Sequence, residues 1–288
     1  MASWTVGEPR RLTLSESVDR LDVHLVVGRL NVMATDGPAR VEVTRIGRSP
    51  VAVEHRDGRL VVRQDGIPRR PGPLWWLRSR TLRADVSIAV PAGVVADLRL
   101  IDGPVIVSGL RAETTVDVTS GQVTLLGLDG TTNAKLVSGP VEALGVAGDL
   151  SMETVSGELV LADGTAGRVR ASTVSGAITC DLDSAWHSEV RLGTTSGSVT
   201  VRVPEDSDLT VHLHTGSGRI TSAFPQVRPG TRLWSATGHG VLGAGQGKLW
   251  VDSASGSIAL LARPVDRDGF GPAPKTGRDG PGGEEVDP

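Results

Sequence analysis

The sequence predicts an all-β protein built as a parallel β-solenoid. A Ser-Gly step recurs through the chain at nearly fixed intervals, and aliphatic residues stand at constant offsets from it. Measured from glycine to glycine, the intervals are 18, 18, 18, 19, 21, 21, 22 and 16 residues. This period is typical of stacked supersecondary units and is too long for a helical heptad. The nine steps are Asp102-Gly103, Ser120-Gly121, Ser138-Gly139, Ser156-Gly157, Ser175-Gly176, Ser196-Gly197, Ser217-Gly218, His239-Gly240 and Ser255-Gly256.

Each repeat is predicted to contain two strands that meet at the Ser-Gly corner. Two positions after the glycine an aliphatic residue occurs in all nine repeats, from Val105 to Ile258, and the position after it is usually polar. This alternation with a period of two indicates a strand with one buried face. A second strand precedes the glycine, with apolar pairs such as Leu150 and Met152. The prediction is about nine regular coils of 16–22 residues, stacked about 4.8 Å apart.

An outward column of charges supports stacking in register. Four positions before the glycine, consecutive repeats carry Asp117, Lys135 and Glu153, which alternate in sign. In-register neighbours of like charge would repel, so the alternation favours this alignment. The serines of the steps are interpreted as corner residues whose hydroxyls bond to the backbone. No histidine or acid recurs beside them, as a nucleophile would require.

Composition divides the chain into three segments. Residues 1–95 show the same alternation with looser spacing and are predicted to form irregular opening β coils that cap the N-terminal edge. Residues 96–262 are the regular solenoid. Residues 263–288 are rich in Gly, Pro, Asp and Arg and are predicted to be a disordered tail.

A loop at residues 66–84 interrupts the first segment and supplies the first candidate binding residues, Trp75, Trp76, Arg78 and Arg80. A basic loop that carries tryptophans could insert at an anionic membrane surface or dock on a partner protein. The alternative is a hairpin whose tryptophans fold back as a lid over the first coil.

The second candidate surface is the outward column six positions before the glycine. It contains the candidate binding residues Arg170, Arg191, His212, Trp234 and Trp250. If the coils stack in chain order, the column is a stripe of cations that leads into paired tryptophans. Such a stripe suits stacking on sugar rings or capture of aromatic or anionic groups. The alternative is that the tail, or the segment 224–230, covers the tryptophans as a C-terminal cap.

Composition excludes several classes of function. The 30 basic and 33 acidic residues give a net charge of -3, which offers no attraction to nucleic acid. The single cysteine, Cys180, falls in an aliphatic column and is interpreted as a buried thiol. The N-terminus lacks the features of a signal peptide, and no run approaches the roughly 18 apolar residues of a membrane span. We therefore expect a cytoplasmic protein, with peripheral membrane association as an alternative.

Two further groups of side chains have the residue types of a metal or catalytic site. His212 and His214 share a strand face and could bind a metal, but no third ligand is secured, although His239 is expected at the corner of the next coil. Asp181 and Asp183 share a face in the manner of polysaccharide-cleaving enzymes, but no neighbouring repeat places an acid beside them. We therefore predict no catalytic residue, no metal and no cofactor.

The phrase Thr-Val-Ser-Gly at 154–157 and 173–176, followed by Thr-Thr-Ser-Gly-Ser-Val at 194–199, resembles the bacterial β-strand-repeat family called putative adhesins. The resemblance spans about residues 15–262 and includes the Leu-Asp-Val-x-Leu-Val-Val-Gly-x-Leu phrase at 21–30 and the Val-Ser-Ile-Ala-Val-Pro strand at 86–91. It implies a β-solenoid of poorly characterised function and carries over no catalytic residues.

The sequence therefore predicts a non-enzymatic binding or scaffold protein. Outward side-chain ladders would face a protein, envelope or glycan partner that the sequence does not identify. The alternatives are a carbohydrate-active β-helix enzyme and a membrane-surface regulatory protein that acts through the Arg/Trp loop.

Overall fold

The computed structural model describes residues 2–64, 82–183, 188–232 and 234–264. Within these ranges every regular element is a β-strand. The strands form two sheets, and the equivalent strands of successive regular coils pair in parallel. The predicted parallel β-solenoid is confirmed.

Ten strands precede or open the regular coils. They are β1 (Ala2–Val6), β2 (Arg10–Thr13), β3 (Arg20–Val27), β4 (Leu30–Ala34), β5 (Arg40–Ile46), β6 (Val51–Arg56), β7 (Arg59–Gln64), β8 (Ala84–Val90), β9 (Val95–Asp102) and β10 (Val105–Ser108). The central coils contain β11 (Thr114–Ser120), β12 (Val123–Leu126), β13 (Thr131–Ser138), β14 (Val141–Leu144), β15 (Asp149–Ser156), β16 (Leu159–Gly164), β17 (Arg168–Ser175), β18 (Ile178–Leu182), β19 (Glu189–Ser196) and β20 (Val199–Pro204). The last strands are β21 (Leu209–Ser217), β22 (Ile220–Ser222), β23 (Arg228–Arg232), β24 (Ser235–Leu242), β25 (Gly247–Ser255) and β26 (Ile258–Arg263).

Each regular coil contributes one strand to each sheet. The larger sheet has the order β1-β6-β7-β3-β9-β11-β13-β15-β17-β19-β25-β21-β24-β23, and the smaller one β2-β5-β8-β4-β10-β12-β14-β16-β18-β20-β26-β22. The aliphatic columns of both sheets are buried in one continuous core, in which Leu98, Leu125 and Leu159 are fully inaccessible. The predicted charge column is in register, with Lys135 paired to both Asp117 and Glu153.

A ladder of glycines forms the corner between the two sheets. At Gly121, Gly139, Gly157, Gly176 and Gly197 a Cβ would overlap the carbonyl oxygen of the corner glycine in the preceding coil. The corner amides donate to serine carbonyls of the next coil, as from Gly121 to Ser138. Glycine is therefore required because the coils approach each other along their backbones.

The glycines that form this ladder differ from the predicted set at both ends, since one glycine is added and one is absent. Gly28, from the N-terminal segment, stacks on Gly103 and is a corner. Gly240 is not a corner, because it lies inside β24, which pairs antiparallel with β21. Spacing alone placed Gly240 in the ladder, and an antiparallel hairpin of similar length has the same spacing.

The last coils do not stack in chain order. Strand β25 lies between β19 and β21, and β26 lies between β20 and β22. Strand β26 pairs with all six residues of β20, from Val199 to Pro204, whereas β22 has only three residues. The longer strand can cover β20 completely, so the short coil of β21 and β22 is placed beyond it. The β23–β24 hairpin then covers the edge of β21.

A buried hydroxyl column lies three positions before the corner glycines of the later coils. Thr215 donates to the carbonyl of Gly256 at 2.8 Å, whereas the Thr154 hydroxyl is buried and has no hydrogen-bond partner among the residues that the structure describes. A buried hydroxyl without a hydrogen-bond partner destabilises the folded state, and a buried hydroxyl with a partner contributes to its stability.

Thr154→Val is therefore expected to raise the free energy of unfolding by about 1 kcal/mol, and Thr215→Val to lower it by about 1 kcal/mol. Urea unfolding monitored by circular dichroism measures both values. Changes of the same sign in the two variants would contradict this description of the column.

Candidate functional site

A continuous row of basic and aromatic side chains crosses the outer face of the larger sheet at its C-terminal end. We call it the basic row. Its members, in spatial order, are Arg170, Arg191, Trp250, His212, His239 and Arg228. Each is the register partner of the next, so adjacent members stand about 4.8 Å apart across the strands.

The row corrects the predicted order of the candidate residues. Trp250 lies between Arg191 and His212, because β25 is inserted between β19 and β21. Trp234 is not in the row. It lies in the turn between β23 and β24 with its side chain 88% exposed, and His239 takes the position next to His212. The predicted stripe that leads into paired tryptophans is therefore wrong.

The ring of Trp250 is held between its two neighbours. The Arg191 guanidinium carbon lies 4.7 Å from the ring centroid, which is a cation–π contact. On the opposite strand the His212 ring stacks on the indole at 6.0 Å, with 21° between the planes. Both faces of Trp250 are therefore flanked, and a sugar ring could stack on it only by displacing a neighbour.

A shallow depression of about 460 Å³ adjoins the row. Arg170, Arg191 and Trp250 form one side of it, and the small residues Ser172 and Gly193 form its floor. A Cβ at Gly193 would meet no atom within 4 Å. The depression thus exists because the outward positions two residues after Arg170 and Arg191 carry only the hydroxymethyl group of Ser172 and the hydrogen of Gly193.

Most charged groups around the depression are paired. Arg191 contacts Glu189 at 2.8 Å, Glu153 contacts Lys135 at 3.6 Å, and Asp252 contacts His214 at 3.6 Å. Arg170 is exposed and has no ion pair with any residue that the structure describes. The depression therefore carries one uncompensated guanidinium.

The three histidines of the candidate metal site do not come together as a group. His212 pairs with His239, and His214 lies apart from both. Nδ1 of His212 lies 3.0 Å from Nδ1 of His239, and the two rings meet edge to face. His214 lies on the same strand face but points to Asp252. Within the described part of the chain, no group of three or more His, Cys, Asp or Glu side chains is arranged to hold a metal.

The paired carboxylates serve as structural links. Asp181 is buried and contacts Arg202 and Arg263, and Asp183 contacts Arg263 at 2.7 Å. These contacts tie β20 and β26 to β18, and both acids are engaged by cations. Cys180 is buried as predicted, and burial raises the pKa of its thiol to about 12.

Residues 66–81 of the predicted loop lie outside the described residues, so Trp75, Trp76, Arg78 and Arg80 stay as sequence predictions. The same holds for the predicted disordered tail beyond residue 264. No helix that could cross a bilayer occurs in the part of the chain that the structure describes.

Residues 145–261, which contain Arg170, Arg191, His212, His239 and Trp250, match the family model described as Toastrack DUF4097. The predicted family resemblance is confirmed. The Toastrack match covers the later regular coils and the inserted hairpin. No curated protein matches the sequence.

The chain is also similar to solved structures. A putative cell adhesion protein from Clostridium sporogenes shares 12% identity, with 89% of this chain and 100% of that chain covered and a TM-score of 0.31. A putative adhesin from Bacteroides fragilis shares 14% identity, with 90% and 97% covered and a TM-score of 0.45. A putative adhesin from Parabacteroides distasonis shares 14% identity, with 88% and 97% covered and a TM-score of 0.39.

Proposed function

We propose that this protein is a non-enzymatic binding protein that recognises an anionic group on an envelope, glycan or protein partner through the basic row and the adjoining depression. The observation that carries the proposal is the charge distribution around the depression. Arg191 and Glu153 each have an oppositely charged neighbour and Asp252 contacts the His214 imidazole, whereas Arg170 has no such partner among the described residues. A carboxylate, sulfate or phosphate would supply the missing charge.

The register of the row supports the same ligand class. Arg170 and Arg191 are in-register neighbours on adjacent parallel strands, an arrangement that like charges disfavour. An anionic group between the two guanidinium groups would relieve this repulsion. The neighbours of Arg191 fix its position, since Glu189 holds it on one side and the Trp250 ring on the other. One preorganised and one free guanidinium then line the same depression as Gly193.

Shape favours binding over catalysis. The depression is shallow, and its floor consists of Ser172 and Gly193 on a rigid parallel sheet. The two carboxylates that line it, Glu153 and Asp252, stand in different coils beyond this floor and are both exposed and paired. Acid–base hydrolysis requires two carboxylates at a common point of attack, with one of them in an environment that keeps it protonated.

The binding test uses polygalacturonate and polyglutamate as acidic probes and dextran as a neutral one. Biolayer interferometry with the full chain is expected to show binding of at least one acidic probe, weakening as salt is raised. Arg170→Ala is expected to reduce this affinity about tenfold, the usual loss for one charge-assisted hydrogen bond. Gly193→Phe, which fills the depression, is expected to reduce it as well.

Arg111→Ala is the matched control. Arg111 is also an exposed arginine without an ion pair among the described residues, and it lies several coils away. An equal loss in Arg111→Ala would indicate general charge attraction and contradict a defined site. Polygalacturonate recovered after incubation is expected to keep its chain length, and shortening would contradict the non-enzymatic assignment.

A further inference from the structure

We propose that His212 and His239 form a two-imidazole chelate for a divalent transition metal, with Cu²⁺ and Ni²⁺ as the ions that fit best. This proposal does not rest on the anion-binding function. It starts from the β21–β24 pairing, which places the two histidines directly opposite each other on one sheet face. Opposed residues of an antiparallel pair have Cβ atoms about 5 Å apart, so the rings can reach a common point.

The ring geometry fits a chelate. The two Nδ1 atoms are 3.0 Å apart, so the nitrogens that would bind a metal already face each other. Two metal–nitrogen bonds of about 2.1 Å across this separation enclose an angle of about 90°. Adjacent positions of a square-planar or octahedral ion require this angle, whereas a tetrahedral ion needs the nitrogens about 3.4 Å apart.

The surroundings leave such an ion open coordination positions. His239 is exposed and His212 half-buried, so the remaining positions face solvent. Two other side chains that could bind a metal, His214 and Asp252, contact each other instead. Cations on the neighbouring strands include Arg228, the register partner of His239, and Lys248, which lies over the Trp250 ring. Arg228 is exposed, so solvent screens its repulsion.

Without metal, the short nitrogen–nitrogen distance requires that one imidazole donate a hydrogen to the other. Metal binding through both Nδ1 atoms displaces this hydrogen, and the ring that donated it carries its hydrogen on Nε2 instead. The metal would then link β21 to β24 and hold the hairpin that covers the end of the larger sheet. A ligand that binds only the folded chain stabilises it by mass action, so the transition temperature should rise with metal concentration.

The test is titration of the full chain, produced without a polyhistidine tag, with CuCl₂ and NiCl₂. Calorimetry is expected to show one Cu²⁺ per chain at micromolar concentration. The EPR spectrum of the bound Cu²⁺ is expected to show coupling to two imidazole nitrogens. Trp250 stacks on His212 at 6.0 Å, so Cu²⁺ should quench its fluorescence. In Trp250→Phe, binding should persist while this part of the quenching is lost.

His212→Gln and His239→Gln are each expected to weaken Cu²⁺ binding at least tenfold, because one imidazole alone cannot chelate. His214→Gln, on the same strand, is the matched control and should bind as tightly as the unmodified chain. Circular dichroism of each variant verifies that the fold is kept. Absence of binding, or Cu²⁺ binding of unchanged affinity in folded His239→Gln, would overturn the proposal, as would an EPR spectrum with a single nitrogen.

Discussion

Gly139→Ala is expected to lower the free energy of unfolding by about 3 kcal/mol or more, the combined cost of backbone strain and overpacking. Gly139 has a φ of 127°, which L-residues rarely adopt. An added Cβ would also overlap the carbonyl oxygen of Gly121 in the neighbouring coil. The two residues cannot move apart freely, because the backbones of both are hydrogen-bonded to neighbouring coils. Chemical denaturation of the unmodified chain and of Gly139→Ala measures the difference in the free energy of unfolding.

Gly193→Ala is the control for this substitution. Gly193 also lies in the larger sheet, but an added Cβ there meets no atom within 4 Å. Its stability should be unchanged or slightly higher, because alanine restricts the unfolded chain more than glycine does. Equal losses in the two variants would mean that the corner glycines are not required by close contact between coils.

Leu249→Ala is expected to lower the free energy of unfolding by about 3 kcal/mol, the usual cost of a cavity in a packed core. Leu249 is fully buried in β25, and β25 lies between β19 and β21. If the coils stacked in chain order, β25 would be the outermost strand, and truncation of its side chain would remove few contacts. The size of the loss therefore tests the strand order as well as the packing.

Val241→Ala provides the comparison. Val241 lies in β24, and its side chain is 51% exposed. Its replacement is expected to change the free energy of unfolding by no more than about 0.5 kcal/mol, as for most surface substitutions. A small loss in Leu249→Ala, similar to that in Val241→Ala, would contradict the placement of β25 inside the sheet.

Much of the solenoid could be predicted because its interactions repeat with the sequence. Alternation around Val105 and its equivalents marks the buried faces, and the charge column through Lys135 marks the register. The candidate site was predicted in part, since Arg170, Arg191, His212 and Trp250 do share one outward row. The spacing places His239 at a corner of the next coil, whereas its antiparallel pairing with His212 brings the two imidazoles together.

The Ser-Gly period by itself determined the fold class, the two-strand coil and the position of most corners, because each depends on contacts between neighbouring repeats of similar sequence. Only the tertiary structure decided that β25 enters between β19 and β21, that Gly28 and not Gly240 completes the glycine ladder, and that Trp234 lies apart from the row. The strand order depends on which strand is long enough to cover β20, and the other two outcomes depend on pairings of the N-terminal segment and of the antiparallel hairpin, none of which the repeat spacing records.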